Sequence, residues 1–286
     1  MTRKFFADLR RQWMGALALL LVLTGGAAYA AQKIGPKDIR KNAVRAKHIK
    51  GNQVNGKHVK EQALSATPLR TRAAQGGCEP TVPGTGQMVE VGSVCIDRYE
   101  ASVWSRPNGG VQYGVNGDDY PCNDNGQNCG DIYARSVPGV PPSGDMTWFQ
   151  AQEALVNSGK RLPTNAEWQA AVAGTPDGAP CNVDAPGRQL TGASPVCRSR
   201  HGVNDMVGNL WEWVADWMPR ATCTASWPAG YGSDFQAICG AATDGGPGAL
   251  LRGGYWANVT IAGRFAVWAG VQPSTSGEII GFRGAR

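Results

Sequence analysis

Eight cysteines constrain this chain more than any other feature. They stand at Cys78, Cys95, Cys122, Cys129, Cys181, Cys197, Cys223 and Cys239, and none of the 286 residues before position 78 or after position 239 adds another. An even number of cysteines reads as a disulfide framework, which forms and persists in an oxidising compartment. Eight cysteines allow roughly a hundred pairings, so spacing alone leaves the connectivity open. They fall into successive couples with loops of similar size. The expected pairing is therefore Cys78 with Cys95, Cys122 with Cys129, Cys181 with Cys197 and Cys223 with Cys239. Closing each longer loop would contribute roughly 3 kcal/mol in the chain-entropy model. A zinc site is the rival reading. It is disfavoured because no C-x-x-C pair exists and only His201 lies nearby.

The cysteine-free N-terminal region differs in composition from the rest. Every lysine except Lys160 precedes residue 61. Residues 1–32 carry a net charge of +3 and residues 33–64 one of +7, which leaves −4 on residues 65–286. The basic balance thus belongs to an arm, and the cysteine-bearing part is mildly acidic. No nucleic-acid partner is expected from such a distribution.

Residues 1–31 read as a targeting segment. Arg3, Lys4, Arg10 and Arg11 precede an apolar run from Trp13 to Leu23, and Ala28-Tyr29-Ala30 resembles a cleavage site. The run is short for a membrane span, which needs about 20 residues. A signal peptide is expected, with an uncleaved N-terminal anchor as the alternative. Either places the remainder outside the cytoplasm, secreted or held at the cell surface. In residues 32–64, Ile34, Ile39, Val44, Ile49, Val54, Val59 and Leu64 recur every five positions, overlaid by a ten-residue unit. Neither helix nor strand has that period. A thin solenoid of pentapeptide type and a disordered basic stalk both fit. The arm's expected role is spacing, or adhesion to an anionic membrane or cell-wall polymer. Residues 65–77 read as a linker and residues 78–286 as the folded domain.

Local signals in that domain mix short strands and short helices. Cys95-Ile96-Asp97-Arg98-Tyr99-Glu100 has the alternation of a strand. Thr147 with Gln150 forms a capping box, predicting a helix to Asn157 that stops at Gly159 and shares Trp148, Ala151 and Leu155 on one face. Thr164 with Glu167 forms a second box, opening a helix through Ala171. Two short helices among Gly-rich turns indicate an irregular α+β fold.

Four blocks then carry a resemblance. They are Gly159-Lys160-Arg161-Leu162-Pro163-Thr164-Asn165-Ala166-Glu167-Trp168, the run Asp205-Met206-Val207-Gly208-Asn209-Leu210-Trp211-Glu212-Trp213 followed by Asp216-Trp217, then Leu251-Arg252-Gly253-Gly254-Tyr255-Trp256, and Ile280-Gly281-Phe282-Arg283. In this order they resemble the formylglycine-generating-enzyme, or sulfatase-modifying-factor, family. The resemblance covers roughly residues 89–286 and implies an elaborated C-type-lectin-like α+β domain of few short helices, many short strands and loops, stabilised here by disulfides.

The resemblance also implies copper-dependent oxidation of a substrate cysteine, through two cysteines that follow the third block. Soft thiolates are what copper(I) requires. Residues 255–266 contain no cysteine, the two positions falling near Asn258 and Gly263, and Tyr255 stands where the family has serine. No copper is therefore expected, and no catalytic residue is assigned. Non-haem iron would need histidines plus a carboxylate, and a serine triad would need His201, whose place beside Arg200 is that of a surface residue. The family's calcium loop maps onto Asp205 (side chain), Gly208 and Leu210 (carbonyls) and Glu212 (carboxylate), which implies a structural calcium ion. Capping of turns or pairing with arginines is the other use of these acids.

The stretch from Tyr255 to Glu278 alternates a steady frame with less regular side chains. Gly253-Gly254, Ala262 to Ala266, Pro273-Ser274 and Ile280 to Arg283 read as frame. Tyr255, Ala257, Val259, Ile261, Trp268, Gly270, Gln272, Ser276 and Glu278 read as interchangeable. This is similar to the C-terminal variable region of lectin-fold proteins displayed by diversity-generating retroelements. A ligand-binding surface is expected at Tyr255, Trp256, Asn258, Arg264 and Trp268, with a core role for Trp256, Phe265 and Trp268 as the alternative. The functional expectation is a non-catalytic module that binds or displays toward a protein or glycan ligand. The alternatives are a formylglycine-generating-type oxidoreductase acting on proteins and a structural cell-surface protein.

Overall fold

The computed structural model describes residues 77–225, 227–228, 230–241 and 246–286. The targeting segment, the basic arm and all but the last residue of the linker lie outside the described residues. Among the described residues no helix is long and apolar enough to cross a membrane. The chain divides into two compact units, Met1–Thr67 and Pro68–Arg286, and the second is described below.

The described residues of this unit form an α+β fold of three sheets and two α-helices. A ribbon joins β1 (Met88–Val91) to β2 (Val94–Asp97). A three-stranded antiparallel sheet sets β3 (Ser102–Arg106) between β4 (Gly109–Tyr113) and β5 (Tyr133–Arg135). The helices follow, α1 (Trp148–Asn157) and α2 (Asn165–Ala171). The largest sheet has six strands: β6 (Trp211–Pro219), β7 (Cys223–Ala225), β8 (Gln236–Cys239), β9 (Pro247–Arg252), β10 (Val267–Trp268) and β11 (Ile280–Phe282). Their order is β11-β6-β9-β10-β8-β7, with β11 parallel to β6 and β10 parallel to β8.

The helices begin where the sequence places them, because each start is satisfied locally. Thr147 Oγ1 accepts the Gln150 N–H at 3.2 Å, and Gln150 Oε1 accepts the Thr147 N–H at 3.0 Å. Thr164 and Glu167 repeat the exchange at 3.2 and 2.8 Å. Two of the orphan amide donors at each helix start are thereby paired. Helix α1 ends at Gly159, whose φ of +67° is left-handed and costs a glycine little. Ala151 and Leu155 are fully buried, whereas Trp148 is only half-buried.

The strand expected over Cys95–Glu100 is shorter than its alternation suggests and ends at Asp97. Asp97 is fully buried, so the faces do not alternate there. Its Oδ1 pairs with Lys160 Nζ at 2.7 Å and its Oδ2 accepts the Gly284 N–H at 2.8 Å. Beyond it the chain turns away, as Arg98 donates to the Gln87 carbonyl and Tyr99 to Ser136 Oγ.

Strand β6 holds the large sheet together. Trp211, Glu212, Trp213 and Val214 are all buried, as befits a strand covered on both faces. Trp213 belongs to a core with Leu155, Leu162, Leu251 and Phe282, and Val214 to a second core with Ile96, Trp168 and Met206. The register with β9 shifts between Trp213 and Trp217, where the Ala215 N–H leaves the ladder for the Pro163 carbonyl. Four disulfides brace the unit: Cys78–Cys95, Cys122–Cys129, Cys181–Cys197 and Cys223–Cys239. The last joins facing residues of β7 and β8.

Candidate functional site

The frame of the C-terminal stretch is set by Arg252 and two glycines. Arg252 is buried, stacks 4.6 Å over the Trp168 ring, and donates to the carbonyls of Ala266 (2.8 Å) and Arg264 (3.2 Å) and to Gln169 Oε1. Burial pushes its pKa down to about 10, which leaves it charged at neutral pH. Gly253 and Gly254 follow at φ +92° and +87°. A side chain on Gly253 would press on the Met206 carbonyl at 2.8 Å, and one on Gly254 on Ala262 at 2.6 Å. The chain therefore turns tightly against the core before it enters the surface stretch.

Beyond this turn, burial sorts the residues. Gly253, Gly254, Ala262, Gly263, Ala266, Pro273 and Ile280 to Arg283 are buried. Tyr255, Ala257, Val259, Ile261, Trp268, Gly270, Gln272, Ser276 and Glu278 are exposed or half-exposed. The frame side of the division is incomplete, since Arg264 and Phe265 are half-buried and Ser274 is exposed.

Three of the five residues expected at the binding surface meet at one cavity of about 220 Å3. Tyr255, Asn258 and Trp268 line it, with Trp211, Phe235, Ile261 and Ile279. Trp256 and Arg264 do not. Trp256 is 8 % exposed, with its N–H donating to the Asn209 carbonyl and its own carbonyl accepting from Ala185. Arg264 is held by Asp177, with Nη2 at 2.7 Å and Nε at 3.0 Å from Oδ2. Its guanidinium sits 5.6 Å over the Phe265 ring. The sequence missed Trp211, which read as motif, and Phe235, which lies between Cys223 and Cys239 with no pattern around it.

The two positions where the resemblance implies thiolates are occupied otherwise. Asn258 turns its Oδ1 back onto the Tyr255 N–H at 3.0 Å. Gly263 lies against Asp234, and a Cβ there would overlap the Asp234 carboxylate. Asp234 is 5 % exposed, and its Oδ2 accepts the Phe265 N–H at 2.7 Å. Burial raises its pKa, and the Phe265 N–H opposes the rise. No thiolate could stand at 263 without displacing this acid.

Comparison with known proteins bears on the same segment. A model of the sulfatase-modifying factor enzyme 1-like domain matches residues 122–286. The chain belongs to this family. Hercynine oxygenase of Mycolicibacterium smegmatis is 30 % identical over 143 residues, covering 44 % of this chain and 32 % of that protein. The formylglycine-generating enzyme of Thermomonospora curvata is 33 % identical over 97 residues, covering 25 % and 32 %. The tail fiber receptor-binding protein of Bordetella phage BPP-1 is 30 % identical over 158 residues, covering 49 % and 36 %. Among solved structures, the Major Tropism Determinant P3c variant has 26 % identity and a TM-score of 0.44, covering 72 % of this chain and 54 % of that one. The chain spans about a third of the length of these curated relatives.

The loop that the sulfatase-modifying-factor family would use for calcium has a different set of bonds here. Glu212 is fully engaged, with Oε1 2.5 Å from Arg283 Nη2 and Oε2 2.7 Å from both Arg283 Nε and Trp168 Nε1. Asp205 Oδ2 accepts the Gly192 N–H at 2.6 Å. The Leu210 N–H donates to Glu100 Oε1 at 3.1 Å, and Glu100 Oε2 accepts from Asn209 Nδ2. Burial, then the neighbouring Asp205 and Glu212, raise the Glu100 pKa well above the usual carboxylate range. Burial pushes Asp205 up to about 6. Among the described residues no three Asp, Glu, His or Cys side chains are arranged to hold a metal. As arranged, Asp205, Gly208, Leu210 and Glu212 do not fit a calcium cage, because the carboxylate it would need is spent on Arg283.

Proposed function

We propose that this member of the family is an exported, non-catalytic module that presents a variable ligand-binding face on a fixed frame. The observation that carries the reading is the sorting by burial across residues 253–283. All nine residues that read as interchangeable reach solvent, whereas most of the frame is buried. A chain built to vary its surface without losing its fold needs that division, since exposed substitutions cost little and core substitutions cost much. The Asp234 carboxylate against Gly263 supports it, because the place of the expected thiolate is filled. Similarity to the tail fiber receptor-binding protein of Bordetella phage BPP-1 supports it as well. Export is supported by the four disulfides, which require an oxidising compartment.

The test is tolerance. Five simultaneous replacements, Ala257→Ser, Val259→Asn, Ile261→Thr, Gln272→Ser and Glu278→Gln, are expected to keep the unfolding midpoint within a few degrees of the parent, each exposed change being worth about 0.5 kcal/mol or less. A single change in the frame, Ala262→Leu, is expected to lower it far more. Equal loss from the two variants would remove the basis for a display frame.

A further inference from the structure

The cavity at the head of the C-terminal stretch has a floor of three aromatic rings. Trp211, Phe235 and Trp268 lie 5.9 to 6.3 Å apart in a mutual cluster. Phe235 is anchored at both of its backbone groups, its N–H donating to the Ile261 carbonyl at 2.9 Å and its carbonyl accepting the Val267 N–H at 2.8 Å. It therefore ties the hairpin closed by Cys223–Cys239 to the C-terminal stretch. Phe235 also lines two neighbouring hollows. One of about 560 Å3 is shared with Thr222, Thr224 and Trp268, and one of about 420 Å3 with Thr224, Ser233 and Ile261. The hollows thus extend beyond the stretch from Tyr255 to Glu278, and Phe235, from the disulfide-closed hairpin, lines all three.

The chemistry of the face selects its occupant. Among the described residues no charged side chain lines the 220 Å3 cavity. Of the described residues lining the three hollows Asp234 alone is charged, and its Oδ2 accepts the Phe265 N–H. A phosphate or another anion would find no counter-charge. A sugar in the 220 Å3 cavity would press its hydroxyls on a mostly apolar lining, which costs free energy for every group left unpaired. The volume is below that of a cavity for a drug-sized ligand, about 300 Å3 or more, yet above the roughly 150 Å3 that accepts benzene. Asn258 offers one donor to an occupant. Asn258 spends its Oδ1 on the Tyr255 N–H, and no acceptor among the described residues faces its Nδ2. An aromatic centre, depleted of charge and rimmed by hydroxyls, has the composition of a protein–protein interface core.

From these features we infer that the cavity receives one aromatic side chain from a loop of a partner protein, its ring on Trp211, Phe235 and Trp268 and its main-chain carbonyl accepting from Asn258 Nδ2. The inference rests on the display reading and adds the class of ligand to it.

Calorimetric titration of the full, oxidised chain tests it with three probes: N-acetyl-tryptophanamide, N-acetyl-alaninamide and methyl α-glucoside. The tryptophan amide is expected to bind with a Kd on the order of 1 mM, as suits one side chain cut from a larger interface. The other two probes should bind at least roughly tenfold more weakly. Ile261→Glu, which puts a charge at the rim of the cavity, should weaken the tryptophan amide by about tenfold. Val111→Glu, at a 60 % exposed position on β4, should leave binding unchanged. Thermal unfolding of both variants separates lost binding from lost fold. Binding of the glucoside as strong as that of the amide would overturn the inference in favour of a glycan face. No saturable heat with the amide at tens of millimolar, or an Ile261→Glu variant that folds and binds like the parent, would overturn it outright. Oxidase turnover would sink the display reading and leave the preference of the cavity measurable. A silent titration without turnover would sink this inference alone.

Discussion

Asp234 fills the space beside Gly263, one of the two positions where the resemblance implies a thiolate. The carboxylate packs where a side chain at 263 would go, so the two positions are coupled. Gly263→Ala is expected to cost about 2 kcal/mol by overpacking. In the Asp234→Ala background, where the space is open, the same change should cost much less, giving a coupling of at least about 1 kcal/mol in a double-mutant cycle by denaturant unfolding. Additive effects would mean that the contact carries no energy. The glycine was visible in the sequence and was matched to a missing cysteine. The acid was not, because it lies 29 positions earlier in a hairpin with no motif. Asn258 reads from the sequence as a surface residue, whereas in the fold its Oδ1 turns back to accept the Tyr255 N–H.

At the scale of elements, the two helices were legible because their starts are written locally, in Thr147 with Gln150 and Thr164 with Glu167. The strands were not. Strand β10 has two residues and β5, β7 and β11 have three each, too few for alternation to register. Their positions come from long-range pairing, as when the Val267 N–H meets the Phe235 carbonyl. The second capping box also makes a pH prediction. Arg161 donates twice to Glu167, at 2.7 Å each, and holds its carboxyl down at about 2. A depressed carboxylate contributes stability that is fully present above the unfolded value near 4.5 and is lost as pH falls toward 2. The pair is partly exposed, so solvent screening limits it to about 1 kcal/mol. Glu167→Gln keeps the capping acceptor. It should lower stability by about that amount at pH 7 and match the parent near pH 2 in parallel urea titrations. A deficit that persists unchanged at pH 2 would assign the loss to the cap instead of the ion pair.

Across the whole unit, motif blocks far apart in sequence converge on buried charge. Lys160 meets Asp97, Arg283 meets Glu212, and Trp168 joins Glu212 while lying under Arg252. The blocks announced the family and its frame, but not that Glu212 answers Arg283. Pairing with arginine was the alternative use of these acids, and the geometry of Glu212 follows it. Glu212→Gln leaves the fully buried Arg283 without its counter-ion and should cost about 3–5 kcal/mol by denaturant unfolding. Millimolar calcium or its removal by EDTA should then move the midpoint of the parent by less than about 1 °C, since a ligand that binds the folded chain would raise it. A rise of several degrees with calcium would show that Glu212 leaves Arg283 for the ion.

The proposed binding face stands in place of a redox centre, and oxygen uptake by the full, oxidised chain with copper(I) and a cysteine-containing peptide tests this most directly. A rate equal to the protein-free control is expected, because neither Asn258 nor Gly263 supplies a thiolate and all eight cysteines are joined in disulfides. Oxygen uptake above that control that scales with protein concentration and converts the peptide cysteine would contradict it.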